Sequence, residues 1–111
     1  ISTHTTSEIE IALGFEPSYL AIGPIYETTS KEMVYNPVGL KDLKRWSRDV
    51  NYPIVAIGGI NLNNIEDIVK TGSANGVAMI QGVQEEDGEI SRLKTVMLVD
   101  KFNRVWNENN L

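Results

Sequence analysis

Thr28, Thr29, Ser30 and Lys31 put three consecutive hydroxyls beside a cation, and of all the residue types in this sequence they are the best suited to hold an anion. Hydroxyls donate directional hydrogen bonds to anionic oxygens, and a lysine adds a point charge. The cluster follows Tyr19-Leu20-Ala21-Ile22, an apolar run short enough for a buried strand, and then the break at Gly23-Pro24. A loop rich in Thr, Ser and Lys can equally be plain surface. Two glycine-bearing strand ends carry a second signal: Gly58-Gly59 after Ile54-Val55-Ala56-Ile57, and Gln81-Gly82 after Gly76-Val77-Ala78-Met79-Ile80. Glycine lets an anion approach backbone N–H groups closely, though it also serves tight strand-to-helix turns.

Other groups with chemical potential are fewer. His4 is the sole histidine and a tempting acid or base, but a satisfied structural role is favoured. Glu85-Glu86-Asp87 has the composition of a metal cluster and reads rather as hydrated surface. Trp46 and Trp106 fall on helices and read as packing. The chain has 111 residues, 15 acidic against 10 basic, for a net charge of −5. That balance argues against nonspecific nucleic-acid or anionic-membrane binding. The absence of cysteine removes disulfides, thiol ligands and a catalytic thiol, and fits a reducing cytosol, so a cytoplasmic location is expected. No apolar run approaches the roughly 18 residues that a membrane span needs.

Four helical segments and four strand segments must position these residues. Ser7 with Glu10 fits a capping box, and Ile9, Ala12 and Leu13 then share a helical face that ends near Gly14. Strand Tyr19–Ile25 leads into a long loop from Tyr26 to Val38. A helix over Gly39–Val50 turns Leu40, Leu43, Trp46 and Val50 inward and Lys41, Lys44, Arg45 and Arg48 outward. Ile54–Ile60 does not alternate with polar residues, as expected of a parallel strand buried on both faces. Asn61 or Asn63 is placed to cap the next helix, whose core face is Leu62, Ile65, Ile68 and Val69, with Gly72 as a left-handed stop. After the strand Gly76–Ile80 and a polar connector, a last helix over Glu89–Asn107 carries Ile90, Leu93 and Met97 as one stripe, widened by Leu98, Phe102 and Val105.

This alternation is a parallel α/β pattern. Gly23, Gly58-Gly59 and Gly82 all fall at strand carboxyl ends, where (β/α)8 barrels build their sites, and no G-x-G-x-x-G supports a dinucleotide fold. Four β/α units cannot close an eight-stranded barrel. Residues 1–111 are therefore expected to form a single partial domain, the C-terminal half of a TIM barrel, with the N-terminal half absent from the chain. Within a barrel frame the two glycine-bearing strand ends together favour a phosphate site.

Ser2-Thr3-His4-Thr5, Gly23-Pro24-Ile25-Tyr26 with Thr28, Ser30 and Lys31, Ile57-Gly58-Gly59-Ile60 and Gly76-Val77-Ala78-Met79-Ile80 together resemble the thiamine phosphate synthase family, in order and at its spacing over about residues 1–85. The resemblance implies coupling of hydroxymethylpyrimidine diphosphate to thiazole phosphate, giving thiamine monophosphate and pyrophosphate with help from Mg²⁺. It implies catalytic roles for Lys31, on the leaving diphosphate, and for Ser2, near the reacting groups. Thr28 and Ser30 would hold the thiazole phosphate, with Gly58 in the same loop and backbone N–H groups of Gly59, Ile80 and Gln81 assisting. Gln81 stands where many relatives have Ser, which keeps a backbone donor and loses a hydroxyl. The family's Mg²⁺ carboxylates belong to the half that is missing here, so the fragment alone is expected to bind little Mg²⁺ and not to turn over. Partners are then the two substrates and either the N-terminal half or a second copy of the chain. A thiazole tautomerase-like paralogue is an alternative, disfavoured because such relatives tend to carry histidine at the Pro24 position. Another phosphate-handling barrel, or a non-catalytic phosphate-ligand half-barrel, are further readings.

Overall fold

The short apolar runs pair side by side as a parallel sheet. In the computed structural model, which describes residues 2–26, 37–48, 50–79 and 81–109 (only the backbone at Ser2 and Gln81), β1 is Ser2–Thr3 and β2 is Leu20–Ile22. β3 is Ile54–Ile57 and β4 is Gly76–Ala78, and the strand order β1-β2-β3-β4 follows the chain without reversal. Ser2 pairs with Ala21, Leu20 with Ile54, and Val55 with Gly76, all parallel. Helices α1 (Thr6–Leu13), α2 (Gly39–Ser47) and α3 (Ile65–Lys70) connect the strands, and α4 (Arg92–Asn109) follows a 3-10 turn at Gln81–Val83.

The core gathers Leu20, Ile22, Ile54 and Ala56 of the sheet with Ile9, Leu43, Ile65, Ile68 and Val69 of the helices, the apolar faces expected for α1 to α3. Burial differs along the sheet. All three residues of β2 are buried, whereas Val55 and Ile57 of β3 and all of β4 are only half-buried. Burial on both faces, expected for Ile54–Ile60, is thus met by the neighbouring strand and not by β3 itself.

Two helix starts also differ from the sequence reading. α1 is capped by Thr5, whose hydroxyl accepts the Glu8 N–H at 3.2 Å, while the Glu8 carboxylate accepts the His4 N–H at 2.9 Å. The reciprocal box therefore sits two residues before Ser7 and Glu10. β1 ends at Thr3, which leaves Thr5 extended (φ −142°) and places Ser7 inside the first turn. α4 begins after Ser91, whose hydroxyl accepts the Lys94 N–H at 3.1 Å. Its inward stripe is Leu98 and Val105 with Phe102 beside them, while Ile90, Leu93 and Met97 are 65%, 69% and 47% exposed. α4 runs alongside α3: Lys101 Nζ donates to the Leu62 carbonyl at 3.0 Å, and the Asn109 amide donates to the carbonyl of Val69 at 3.0 Å. Those ties set the rotation of the helix and turn its second apolar stripe outward. Gly72, at φ +67°, stops α3 as expected.

Candidate functional site at the strand carboxyl ends

Because all four strands are parallel, their carboxyl ends share one edge of the sheet. Hydrogen bonding continues past the strands there. Gly23 N–H donates to the Thr3 carbonyl at 3.2 Å, Ile25 N–H to Ile57 at 3.0 Å, and Tyr26 N–H to Gly58 at 3.1 Å. The Thr3 hydroxyl is buried and donates to the Ala21 carbonyl at 2.9 Å.

The glycines on this edge are packed against neighbouring backbone. A Cβ on Gly23 would collide with the Ile57 carbonyl and lie 2.8 Å from its Cγ2, and one on Gly58 would lie 2.6 Å from Pro24 Cα. A Cβ on Gly82 would collide with the Ile60 carbonyl and lie 3.0 Å from Met79 Sδ. Glycine at these three places lets one strand-end loop cross the next, a role that sequence reasoning weighed only as tight turning. Gly58 and Gly59 take φ of +103° and +70°, values that side chains avoid.

The loop after β3 is held by an asparagine that the sequence reading passed over. Asn64 Nδ2 donates to the Gly59 carbonyl at 2.9 Å, and Asn64 Oδ1 accepts the Asn61 N–H at 2.9 Å. Asn61 Oδ1 accepts the Asn63 N–H at 2.8 Å. Neither Asn61 nor Asn63 caps α3 as expected; Asn64 occupies the cap position, and its side chain turns back onto the loop instead. Three asparagines within four residues directly after Gly58-Gly59-Ile60 were the available signal.

Of the residues expected to act, Gly58 and Gly59 lie together on this edge. The backbone of Ser2 lies in β1, and Gln81 opens the 3-10 turn directly after β4. Thr28, Ser30, Lys31 and Ile80 lie outside the described residues. His4 belongs to the cap of α1: its Nδ1 is 3.1 Å from Glu8 Oε2. That hydrogen bond is the main cause holding the Glu8 carboxyl below the usual carboxylate range. Tyr26 is half-buried, and its hydroxyl is buried with no hydrogen-bond partner among the described residues. Burial first, and the Asp67 charge second, push its ionisation above the ordinary tyrosine value.

No group of three His, Asp or Glu side chains among the described residues is placed to hold a metal ion. Glu85, Glu86 and Asp87 are exposed, and Glu85 lies 3.8 Å from Lys94 Nζ. A groove of about 260 Å³ runs between β4 and α4, lined by Val77, Met79, Leu98, Val99 and Phe102 among others. Its walls offer no ionisable group, so it does not extend the polar edge.

The family described as thiamine monophosphate synthase matches residues 1–83. A thiamine-phosphate synthase of Proteus mirabilis is 40% identical over 102 residues, covering 90% of this chain and 47% of that protein. One from Lysinibacillus sphaericus is 42% identical over 107 residues, covering 95% and 48%. The solved thiamine phosphate pyrophosphorylase of Pyrococcus furiosus superposes with a TM-score of 0.74 at 29% identity, covering 94% of this chain and 48% of that one. The chain spans about half the length of the curated relatives it matches.

Proposed function

The chain belongs to the thiamine monophosphate synthase family, and from that premise we propose that it is the phosphate-gripping half of a synthase joining hydroxymethylpyrimidine diphosphate to thiazole phosphate. In this reading the four β/α units form half of a (β/α)8 barrel, which four further strands complete. The observation that carries the reading is the convergence of three strand-end loops. Tyr26 N–H bonds to Gly58, Gly58 packs on Pro24, and Gly82 packs on the Ile60 carbonyl, so the loops after β2, β3 and β4 form one continuous rim.

The chemistry proposed for this edge is the one that the family resemblance implies. Thr28 and Ser30 grip the thiazole phosphate, joined by backbone N–H groups of Gly59, Ile80 and Gln81, with Gly58 admitting the anion close to the chain. Lys31 contacts the leaving diphosphate, and Ser2 lies by the reacting centre. The C–O bond from the pyrimidine methylene to the diphosphate breaks, its electron pair leaving with pyrophosphate. The thiazole nitrogen lone pair then forms the new C–N bond. Fixed donors stabilise the departing charge without reorganising. Mg²⁺ is expected in the family, but the described carboxylates do not assemble a site for it, and no step here is assigned to it. No helix among the described residues is long and apolar enough to cross a membrane, and a cytoplasmic enzyme is the proposed setting.

Native mass spectrometry with thiazole phosphate tests the proposal, using the chain alone and the chain co-expressed with the N-terminal half of a family synthase. A ligand-bearing complex of the two pieces that releases pyrophosphate supports it. A stable two-piece complex with no ligand overturns the phosphate reading, and robust turnover by the chain alone overturns the half-barrel reading.

A further inference from the structure

We propose that Asn64 is a positioning residue that aims the Gly59–Ile60 peptide at the bound phosphate, an inference that rests on the phosphate reading above. Its carboxamide works as a peptide mimic, bonding the backbone on both sides of Ile60: Nδ2 to the Gly59 carbonyl and Oδ1 to the Asn61 N–H, each at 2.9 Å. A trans peptide is planar, with its C=O and N–H pointing in opposite directions, and Gly59–Ile60 is trans. Holding the Gly59 carbonyl towards Asn64 therefore turns the Ile60 N–H away from α3. That N–H donates to no acceptor among the described residues, which leaves it available to an anion.

The second bond orients the next peptide by the same rule. With the Asn61 N–H held at Asn64, the Ile60 carbonyl points the opposite way, and it lies where a Cβ on Gly82 would collide with it. One side chain thus sets two consecutive peptide planes, one facing the ligand and one seating the loop after β4 against the loop after β3. Ile60 is only 2% exposed, backbone included, so its unpaired N–H is a buried donor that a ligand oxygen would satisfy.

The test compares Asn64→Ala with Asn61→Ala in the full chain. Asn61→Ala removes the bond to Asn63 N–H, and its own N–H still reaches Asn64, so the clamp survives. Thiazole phosphate is titrated while amide shifts are followed by NMR, and ¹⁵N relaxation reports Gly59 and Ile60. In the unaltered chain and in Asn61→Ala, order parameters near ~0.85 are expected at both residues. Asn64→Ala should lower them towards ~0.6 and weaken binding roughly tenfold, the effect of about one positioned hydrogen bond. If Asn64→Ala does not fold, Asn64→Asp replaces it: the carboxylate keeps the bond to Asn61 N–H but repels the Gly59 carbonyl. The reading for that variant is the Ile60 order parameter, because its charge alone would weaken anion binding. Unchanged order at Ile60 with unchanged affinity overturns the assignment. If the unaltered chain, paired with the N-terminal half of a family synthase, shows no ligand-induced shift, the phosphate reading falls, and the order parameters still decide whether Asn64 holds the peptide.

Discussion

Gly58 and Pro24 touch backbone to backbone across neighbouring strand ends: a Cβ on Gly58 would sit 2.6 Å from Pro24 Cα and 2.7 Å from Pro24 Cβ. The contact closes the gap between the loops after β2 and β3, alongside the hydrogen bond from Tyr26 N–H to the Gly58 carbonyl. A side chain there would force the two loops apart as well as strain a backbone at φ +103°.

Gly58→Ala is therefore expected to destabilise the chain by about 3 kcal/mol or more, combining left-handed strain with overpacking. Gly39 is the control. It has φ +77° with nothing within 4 Å of its would-be Cβ, so Gly39→Ala should cost about 1 kcal/mol from strain alone. Urea unfolding of both variants checks the difference, and equal losses would show that the Pro24 contact does not matter.

Tyr26→Phe is expected to stabilise the fold by about 1 kcal/mol, since the buried hydroxyl has no hydrogen-bond partner among the described residues. Its pH dependence has a definite sign. A folded-state value raised by burial, and then by Asp67, means that the stabilisation of the neutral form is complete below about pH 10. It is lost as pH rises through the folded value. Tyr26→Phe should accordingly lose less stability on the alkaline side than the unaltered chain in parallel melts, and an identical alkaline loss would refute the account.

The His4–Glu8 pair predicts an acid limb. The Glu8 carboxyl is held below its usual range, chiefly by the His4 side-chain hydrogen bond. Its contribution is present above the unfolded carboxylate value and disappears as pH falls through the lowered folded value. Glu8→Gln should flatten that limb. A circular-dichroism titration of both proteins measures this.

The outward turn of α4 can be read from two leucines. Leu98 is 3% exposed and Leu93 is 69% exposed. Leu98→Ala should cost about 2–5 kcal/mol and Leu93→Ala no more than about 0.5 kcal/mol. A reversed order in thermal or chemical melts would mean that the stripe of Ile90, Leu93 and Met97 is the one that packs.

The sequence by itself determined the order of elements, the apolar strands and the family. Uninterrupted apolar runs separated by amphipathic segments leave little but a parallel α/β arrangement, and Gly72 marks the end of α3 because glycine takes φ +67° without a Cβ clash. It also placed Gly58 and Gly59 at a strand end, since glycine pairs punctuate apolar runs. Local pattern could not choose between equivalent frames. Thr5 with Glu8 and Ser7 with Glu10 both satisfy a capping box, and only the end of β1 at Thr3 selects the first. α4 carries two apolar stripes at helical spacing, and only its ties to Leu62 and Val69 decide which one faces the sheet. The glycines and Asn64 show the same limit at the site. Whether Gly58 makes room for a ligand or for Pro24, and whether an asparagine caps its helix or reaches back to Gly59, depends on atoms distant in sequence or on the path of a loop. Those contacts exist only once the parallel sheet has brought the strand ends side by side.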